Sequence, residues 1–317
     1  MKLRPIKILN SLDLIGNTPI KLLNHVNDTN INIWVKLEHL QPGGSVKDRA
    51  AKNIILEAKK KGRLQENQIV VEMTSGNMGA GLAIVCGVLG HPFIATMSQG
   101  NSPERAIMLR GLGAEVILVP QVNGLPGKVT GDDIEKARQE AIKIAKNKNA
   151  FFVNQFNSID GLNAHRYGTA IEISTALNNK VDAFVSIVGS AGTFVGTGLG
   201  LKRDLKLNTK FFAVEPTGLE VLAGKKIIKK QHVLQGTSYG YVPPLWDKSI
   251  ADGFLNVSDE EAINMQKLLA IKEGLYVGYS ASANICASIK LAKLGILKEK
   301  DNIVTIACDT GLKYSFD

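Results

Sequence analysis

Cysteine is scarce in this chain, with three residues in 317: Cys86, Cys286 and Cys308. An odd, widely scattered set argues against a disulfide framework. It suggests reduced core thiols in a cytoplasmic protein. Aromatic residues make up only 6%, and they do not interleave with basic residues as in single-strand nucleic-acid binders. The five histidines, His25, His39, His91, His165 and His232, show no ligand spacing, so no metal site is expected. No apolar run nears the ~18 residues that span a membrane. The start, Met1-Lys2-Leu3-Arg4-Pro5-Ile6-Lys7, is basic but has no apolar h-region, which argues against secretion.

What is present is ordinary for a globular enzyme: 44% hydrophobic and 21% charged residues. The length allows one large or two modest domains. The net charge of +9 invites a nucleic-acid reading. However, the basic residues cluster in helical stretches such as Glu57-Ala58-Lys59-Lys60-Lys61 and Gly224-Lys225-Lys226-Ile227-Ile228-Lys229-Lys230, which read as solvated faces. The excess charge can help draw in an anionic cofactor and substrate. Short apolar runs alternate with helical stretches, the sign of βαβ units and parallel sheet. Expected strands include 33–37, 68–71, 93–96, 115–119, 183–188, 211–214 and 303–307. Gly43-Gly44 and Gly124-Leu125-Pro126-Gly127 mark loops. The fold class expected is α/β, with twisted parallel sheets flanked by helices.

Four junctions carry chemistry. In Gly43-Gly44-Ser45-Val46-Lys47-Asp48-Arg49, Ser45 and Asp48 have capping-box spacing, which predicts a helix opening at Ser45. Lys47 then lies in the first turn, where the helix field disfavours a second cation and favours the neutral, nucleophilic amine. Such a lysine can form a Schiff base, or it can be a plain exposed helix-start residue. Glu72-Met73-Thr74-Ser75-Gly76-Asn77-Met78-Gly79 runs from strand to helix through small polar residues. That makes a carboxylate-type anion site or an ordinary cap. Gly189-Ser190-Ala191-Gly192-Thr193 lets backbone amides approach a phosphate. Its spacing departs from the dinucleotide pattern, although Glu215 could pass for that pattern's acidic residue. Gly278-Tyr279-Ser280-Ala281-Ser282-Ala283-Asn284 offers a serine that is a cap or a partner for a heterocycle nitrogen.

Taken in this order, the four motifs resemble the fold-type II pyridoxal-phosphate enzymes, in the cysteine synthase and cystathionine β-synthase branch. The resemblance runs from Ile15-Gly16-Asn17-Thr18-Pro19 to Asp309-Thr310-Gly311-Leu312-Lys313-Tyr314. It includes Ser102-Pro103-Glu104-Arg105 and Asn154-Gln155-Phe156-Asn157. It implies that Lys47 holds the cofactor and moves protons, and that Asn77 bonds its 3-hydroxyl oxygen. Thr74, Ser75 and Gln155 would grip the substrate carboxylate, with Gly76, Met78 and Tyr239 also at the substrate. Gly189, Ser190, Ala191, Gly192 and Thr193 would cradle the phosphate, and Ser280 would face the pyridine nitrogen. The resemblance further implies a smaller lobe at 41–152, a larger lobe from 1–40 and 153–317, no added regulatory domain, and a homodimer.

The sequence also departs from the family pattern. Met78 replaces a hydroxyl residue in the carboxylate loop, and Ala191 stands where glycine is common. Tyr239, Ala170 and the Ser280-Ala281 pair look more like cystathionine β-synthase. The expected reaction is β-replacement on an activated serine, giving cysteine from O-acetylserine and sulfide. The alternatives are condensation with another thiol such as homocysteine, β-elimination from serine or cysteine, and a non-catalytic, cofactor-bearing regulatory protein.

Overall fold

Runs of β-branched and aromatic residues that are buried on both faces form parallel strands, because helices cover both sides of such a sheet. Phe93–Ser98 shows this plainly, with all six residues buried. A computed structural model describes residues 8–125, 127–229 and 231–314. The basic start at 1–7, Pro126 of the expected loop, Lys230 and residues 315–317 lie outside the described residues.

In chain order the elements are β1 (Ile20–Leu22), β2 (Asn32–Lys36), α1 (Lys47–Lys60), β3 (Val70–Met73), α2 (Asn77–Leu89), β4 (Phe93–Ser98) and α3 (Pro103–Gly111). They continue with β5 (Glu115–Val119), α4 (Gly131–Asn147), β6 (Phe151–Phe152), α5 (Ile159–Ala164), α6 (Ala170–Ala176) and β7 (Ala183–Ile187). The last are α7 (Gly192–Gly198), β8 (Lys210–Pro216), β9 (Gly253–Val257), α8 (Asp259–Leu268), α9 (Tyr279–Lys293) and β10 (Asn302–Ile306). Single π-helical turns, His165–Thr169 and Leu199–Asp204, follow α5 and α7.

The chain divides into two units. Among the described residues, one comprises 8–17, 41–43 and 47–154, and the other 18–40, 44–46 and 155–314. The family resemblance implies that residues 1–40 belong together in the larger lobe. The described residues 8–17 instead cluster with the first unit, because Leu12 and Ile15 pack in the same core as Ile54, Ile55 and Leu82.

The first unit holds a parallel sheet in the order β5-β4-β3-β6. On α1, Ala51, Ile54, Ile55 and Ala58 fall at helical spacing and are buried, the stripe expected of a helix on a core. Gly81 lets α2 lie close against it, since a Cβ there would sit 3.1 Å from both the Asp48 Cα and the Ala51 Cβ. The second unit holds a sheet in the order β1-β2-β10-β7-β8-β9, parallel except for β1 against β2. Phe184, Phe194, Phe211 and Trp246 pack on one face of it, with tilted or edge-on ring contacts of 5.0–6.4 Å.

Candidate functional site

In the first unit, Lys47 is the first residue of α1 and is half-buried. The helix opens two residues later than the expected start at Ser45. Residues 44–46 are drawn into an extended pairing instead: Ser45 bridges Asp309, and the Val46 N–H donates to the Cys308 carbonyl at 2.8 Å. Asp48 still anchors the turn, accepting from the Gly43 N–H.

The junction between β3 and α2 places Thr74, Ser75, Gly76 and Asn77 together at the start of α2. Thr74 is buried, and its hydroxyl oxygen accepts the N–H of Gly79 at 3.1 Å and of Gly76 at 3.4 Å. With its oxygen so occupied, its own proton is available to an acceptor in the loop. The close approach of α1 and α2 brings the turn that carries Lys47 beside the helix that begins at Asn77. One expectation needs correcting. The Met78 side chain is 3% exposed and lies in the core with Leu82 and Leu109, so it packs the helix and does not line the loop. A residue not singled out from sequence joins this group. The Arg105 guanidinium donates to the Ser75 carbonyl at 3.2 Å and to its hydroxyl at 3.3 Å. This puts a cation beside the proposed carboxylate loop.

In the second unit, the loop Gly189–Thr193 leads from β7 into α7. Ala191 holds the left-handed conformation, φ +69°, and supplies no side-chain cap. A left-handed residue ahead of a helix turns successive amides inward, the geometry of an anion cradle. A Cβ on Gly189 would lie 2.7 Å from the Gly236 carbonyl oxygen, and the Ser238 N–H donates to the Val188 carbonyl at 3.0 Å. The turn that carries Tyr239 is therefore fixed against the loop. Tyr239 is edge-on to Phe156 at 5.4 Å and stacked on Tyr241 at 6.0 Å. Gln155, next to Phe156, is half-buried. Glu215 is no ribose ligand. Burial pushes its carboxyl above the usual range, while its oxygens take the N–H groups of Leu222 at 2.8 Å and Ala223 at 3.0 Å.

Ser280 is the second residue of α9 and is 5% exposed. Neighbouring serines are satisfied by their own helix, Ser282 bonding the Gly278 carbonyl and Ser288 that of Asn284. The Ser280 hydroxyl has no hydrogen-bond partner among the described residues. A hydroxyl that its own helix does not take is open to a ligand atom such as a ring nitrogen. Its turn is pinned by Asp309, whose carbonyl accepts the Gly278 N–H at 3.0 Å. The segment after β10 thus holds both the residue before Lys47 and the turn before Ser280.

Cys86 and Cys286 are free and buried, and burial pushes both thiols up to about 12. Cys308 is free and half-buried. Among the described residues, no helix is long and apolar enough to cross a membrane.

Two parallel α/β units of this kind, with a glycine-rich anion loop and a helix-start lysine, define a two-lobed fold-type II enzyme architecture. The family model for "Pyridoxal-phosphate dependent enzyme" matches residues 12–309, and the chain belongs to this family. It is 38% identical over 311 residues, 97% of this chain and 96% of the other, to a probable cysteine synthase of Bacillus subtilis. It is 39% identical over 303 residues, 95% of each chain, to cysteine synthase B of Campylobacter jejuni. It superposes on a hydrogen sulfide-producing enzyme of Fusobacterium nucleatum with a TM-score of 0.89 and 35% identity, covering 98% of this chain and 99% of that one. The protein is a pyridoxal-phosphate enzyme of the cysteine synthase type.

Proposed function

We propose that the protein makes cysteine by β-replacement: acetate leaves the β-carbon of O-acetylserine, and sulfide sulfur bonds there in its place. The observation that carries the reading is the Ser280 hydroxyl at the start of α9, which no described residue takes. Bound pyridoxal phosphate supplies an electron sink for the bonds at the substrate's α-carbon. Ser280 would face its ring nitrogen with a neutral hydroxyl, which does not hold a proton there as a carboxylate would. The sink is then weaker, which favours early loss of a β-leaving group over transamination. Lys47 holds the cofactor, takes the α-proton and returns it. Thr74 donates its remaining proton to the substrate carboxylate, joined by Ser75 and Gln155, while Arg105 adds positive charge at the loop. Asn77 serves the 3-hydroxyl oxygen, and the amides of Gly189–Thr193 serve the phosphate. Met78 can contribute there only through its backbone.

Residence in the cytoplasm and a homodimeric state belong to the same proposal, supported by the scattered free thiols and by the family resemblance. A second reading, β-elimination or condensation with a larger thiol, is favoured by the aromatic group Phe156, Tyr239 and Tyr241 beside the anion loop. The similarity to a hydrogen sulfide-producing enzyme points the same way. A competition assay separates the two readings by offering sulfide and homocysteine with O-acetylserine and serine as separate donors. O-acetylserine with sulfide is expected to be the preferred pair. Preference for serine with homocysteine, or sulfide release from cysteine as the faster reaction, would replace the first reading by the second.

A further inference from the structure

His165 is 2% exposed, beyond the reach of solvent and behind the anion loop. Its Nε2 lies 3.3 Å from the Thr193 hydroxyl, and its Nδ1 lies 3.0 Å from the Thr169 hydroxyl. The site chemistry derived above does not use this histidine. It occupies the first position of the π-helical turn His165–Thr169, a local irregularity of a kind that recurs at functional sites. Glycine makes its approach to α7 possible. A Cβ on Gly196 would lie 2.4 Å from the Leu162 carbonyl oxygen and 2.9 Å from the His165 Cβ. The sequence therefore keeps a bare helix face where α7 meets this turn.

A threonine hydroxyl has one proton to donate and two lone pairs. If Thr193 spent its proton on His165 Nε2, it would turn lone pairs towards the loop and repel a phosphate. If Nε2 carries the proton, it donates to the Thr193 oxygen, and the Thr193 proton is free to point at the phosphate. A neutral imidazole has one donor and one acceptor. Nδ1 then accepts from the Thr169 hydroxyl, which fixes the tautomer. All three donors run in one direction, and each polarises the next.

We propose that His165 is a positioning residue that aims the Thr193 hydroxyl at the cofactor phosphate, through the chain Thr169 to His165 to Thr193. This rests on the reading that Gly189–Thr193 holds the phosphate. The test measures binding of pyridoxal phosphate and of pyridoxal, which lacks the phosphate, by absorbance titration of the cofactor-free protein. His165→Leu is expected to weaken pyridoxal phosphate binding about tenfold, the scale of one hydrogen bond to a charged group. Pyridoxal binding is expected not to change. The loss is expected to vanish in a Thr193→Val background and to be largely recovered in His165→Gln, whose amide keeps a donor near the Nε2 position. Thr169→Val is expected to give a smaller loss with the same selectivity, and it carries the test if His165→Leu does not fold. Equal losses for the two ligands, or a His165 effect additive with Thr193→Val, would overturn the positioning role. If instead the wild-type protein binds the two ligands equally well, the phosphate-loop reading itself fails, and the role of His165 with it.

Discussion

Helices α4 and α8 begin in closed capping boxes, whereas α2, α7 and α9 begin behind Gly76, Ala191 and Gly278, none of which provides a side-chain cap. At α4 the Thr130 hydroxyl accepts the Asp133 N–H at 3.3 Å, and the Asp133 carboxylate accepts the Thr130 N–H at 2.8 Å. Ser258 and Glu261 repeat the arrangement at α8, at 3.2 and 2.8 Å. Such boxes consume the unpaired donors of the first turn and stabilise by about 1 kcal/mol. At the other three helices the cap position is small, and apart from the Gly79 N–H, which the Thr74 hydroxyl takes at α2, the proposed function uses the remaining first-turn donors and the positive end of the dipole for ligand binding. An uncapped end is not sufficient. Ser102 before α3 makes no side-chain cap either, but Pro103 removes a donor there. The ends that matter combine a small cap residue with polar groups placed by distant segments. Substitutions at the two kinds of end should therefore separate activity from stability.

The largest separation is expected at Lys47. Lys47→Ala should lower turnover by at least ~10²–10⁴-fold, the range for a lost proton-transfer group. It should also abolish the visible absorbance of the cofactor linkage. The melting temperature of the cofactor-free protein should stay close to that of the wild type. Borohydride reduction of the wild-type enzyme should tag the peptide carrying Lys47. A label on another lysine would remove Lys47 from the site and leave the comparison without its main member.

The opposite case, stability without chemistry, is Glu273. Its side chain is fully buried. Burial pushes the carboxyl up, but this is outweighed by Lys21, 2.5 Å away, and by the N–H groups of His25, Val26 and Asn24, so the carboxyl titrates below its ordinary 4.5. A depressed folded-state value contributes stability that is present above the unfolded value and lost as pH falls through the folded one. Glu273→Gln should cost about 2 kcal/mol at neutral pH, the scale of a charge-assisted network. That cost should shrink as pH falls below about 4.5. Urea unfolding at pH 7 and at pH 3 measures it. A cost independent of pH would mean that packing and not charge holds β1 to this corner. Turnover at neutral pH should be unaffected.

How much of this was legible in the sequence follows from where the determinants lie. Phe93–Ser98 and Ala183–Ile187 announce themselves because their apolar runs are buried on the spot, and Glu115–Val119 by its β-branched run although it is only partly covered. Ile20–Leu22, Phe151–Phe152 and Gly253–Val257 do not, because each is short and exists by pairing with a neighbour. The anion loop was readable since glycine and a helix start are local features. The start of α1 lies two residues beyond the capping-box position because Ser45 and Val46 are captured by Asp309 and Cys308, some 260 positions away. The side chain of Met78 is a similar case. Its place in the loop pattern says nothing of which way α2 turns it, and the core takes the side chain. Arg105 and His165 carry no role legible in the sequence because their partners, Ser75 and Thr193, are 30 and 28 residues distant.

The smallest expected effects give the finest comparison, because the same serine-to-alanine change should cost stability at one kind of helix start and leave it nearly unchanged at the other. Ser258→Ala removes the box at α8 and leaves the Glu261 N–H without its acceptor. A loss of about 1 kcal/mol is expected, with turnover unchanged. Ser280→Ala removes a buried hydroxyl that has no hydrogen-bond partner among the described residues. In the cofactor-free protein no hydrogen bond among the described residues is lost by that change, so stability is expected to move by no more than about 0.5 kcal/mol. With cofactor bound a loss should appear: the ring nitrogen loses its donor, and the thermal shift produced by pyridoxal phosphate should be smaller than in the wild type. Melting curves of Ser258→Ala and Ser280→Ala, each with and without cofactor, read all four values. If Ser280→Ala destabilises the cofactor-free protein as Ser258→Ala does, then Ser280 is one more cap and α9 joins α4 and α8 on the structural side.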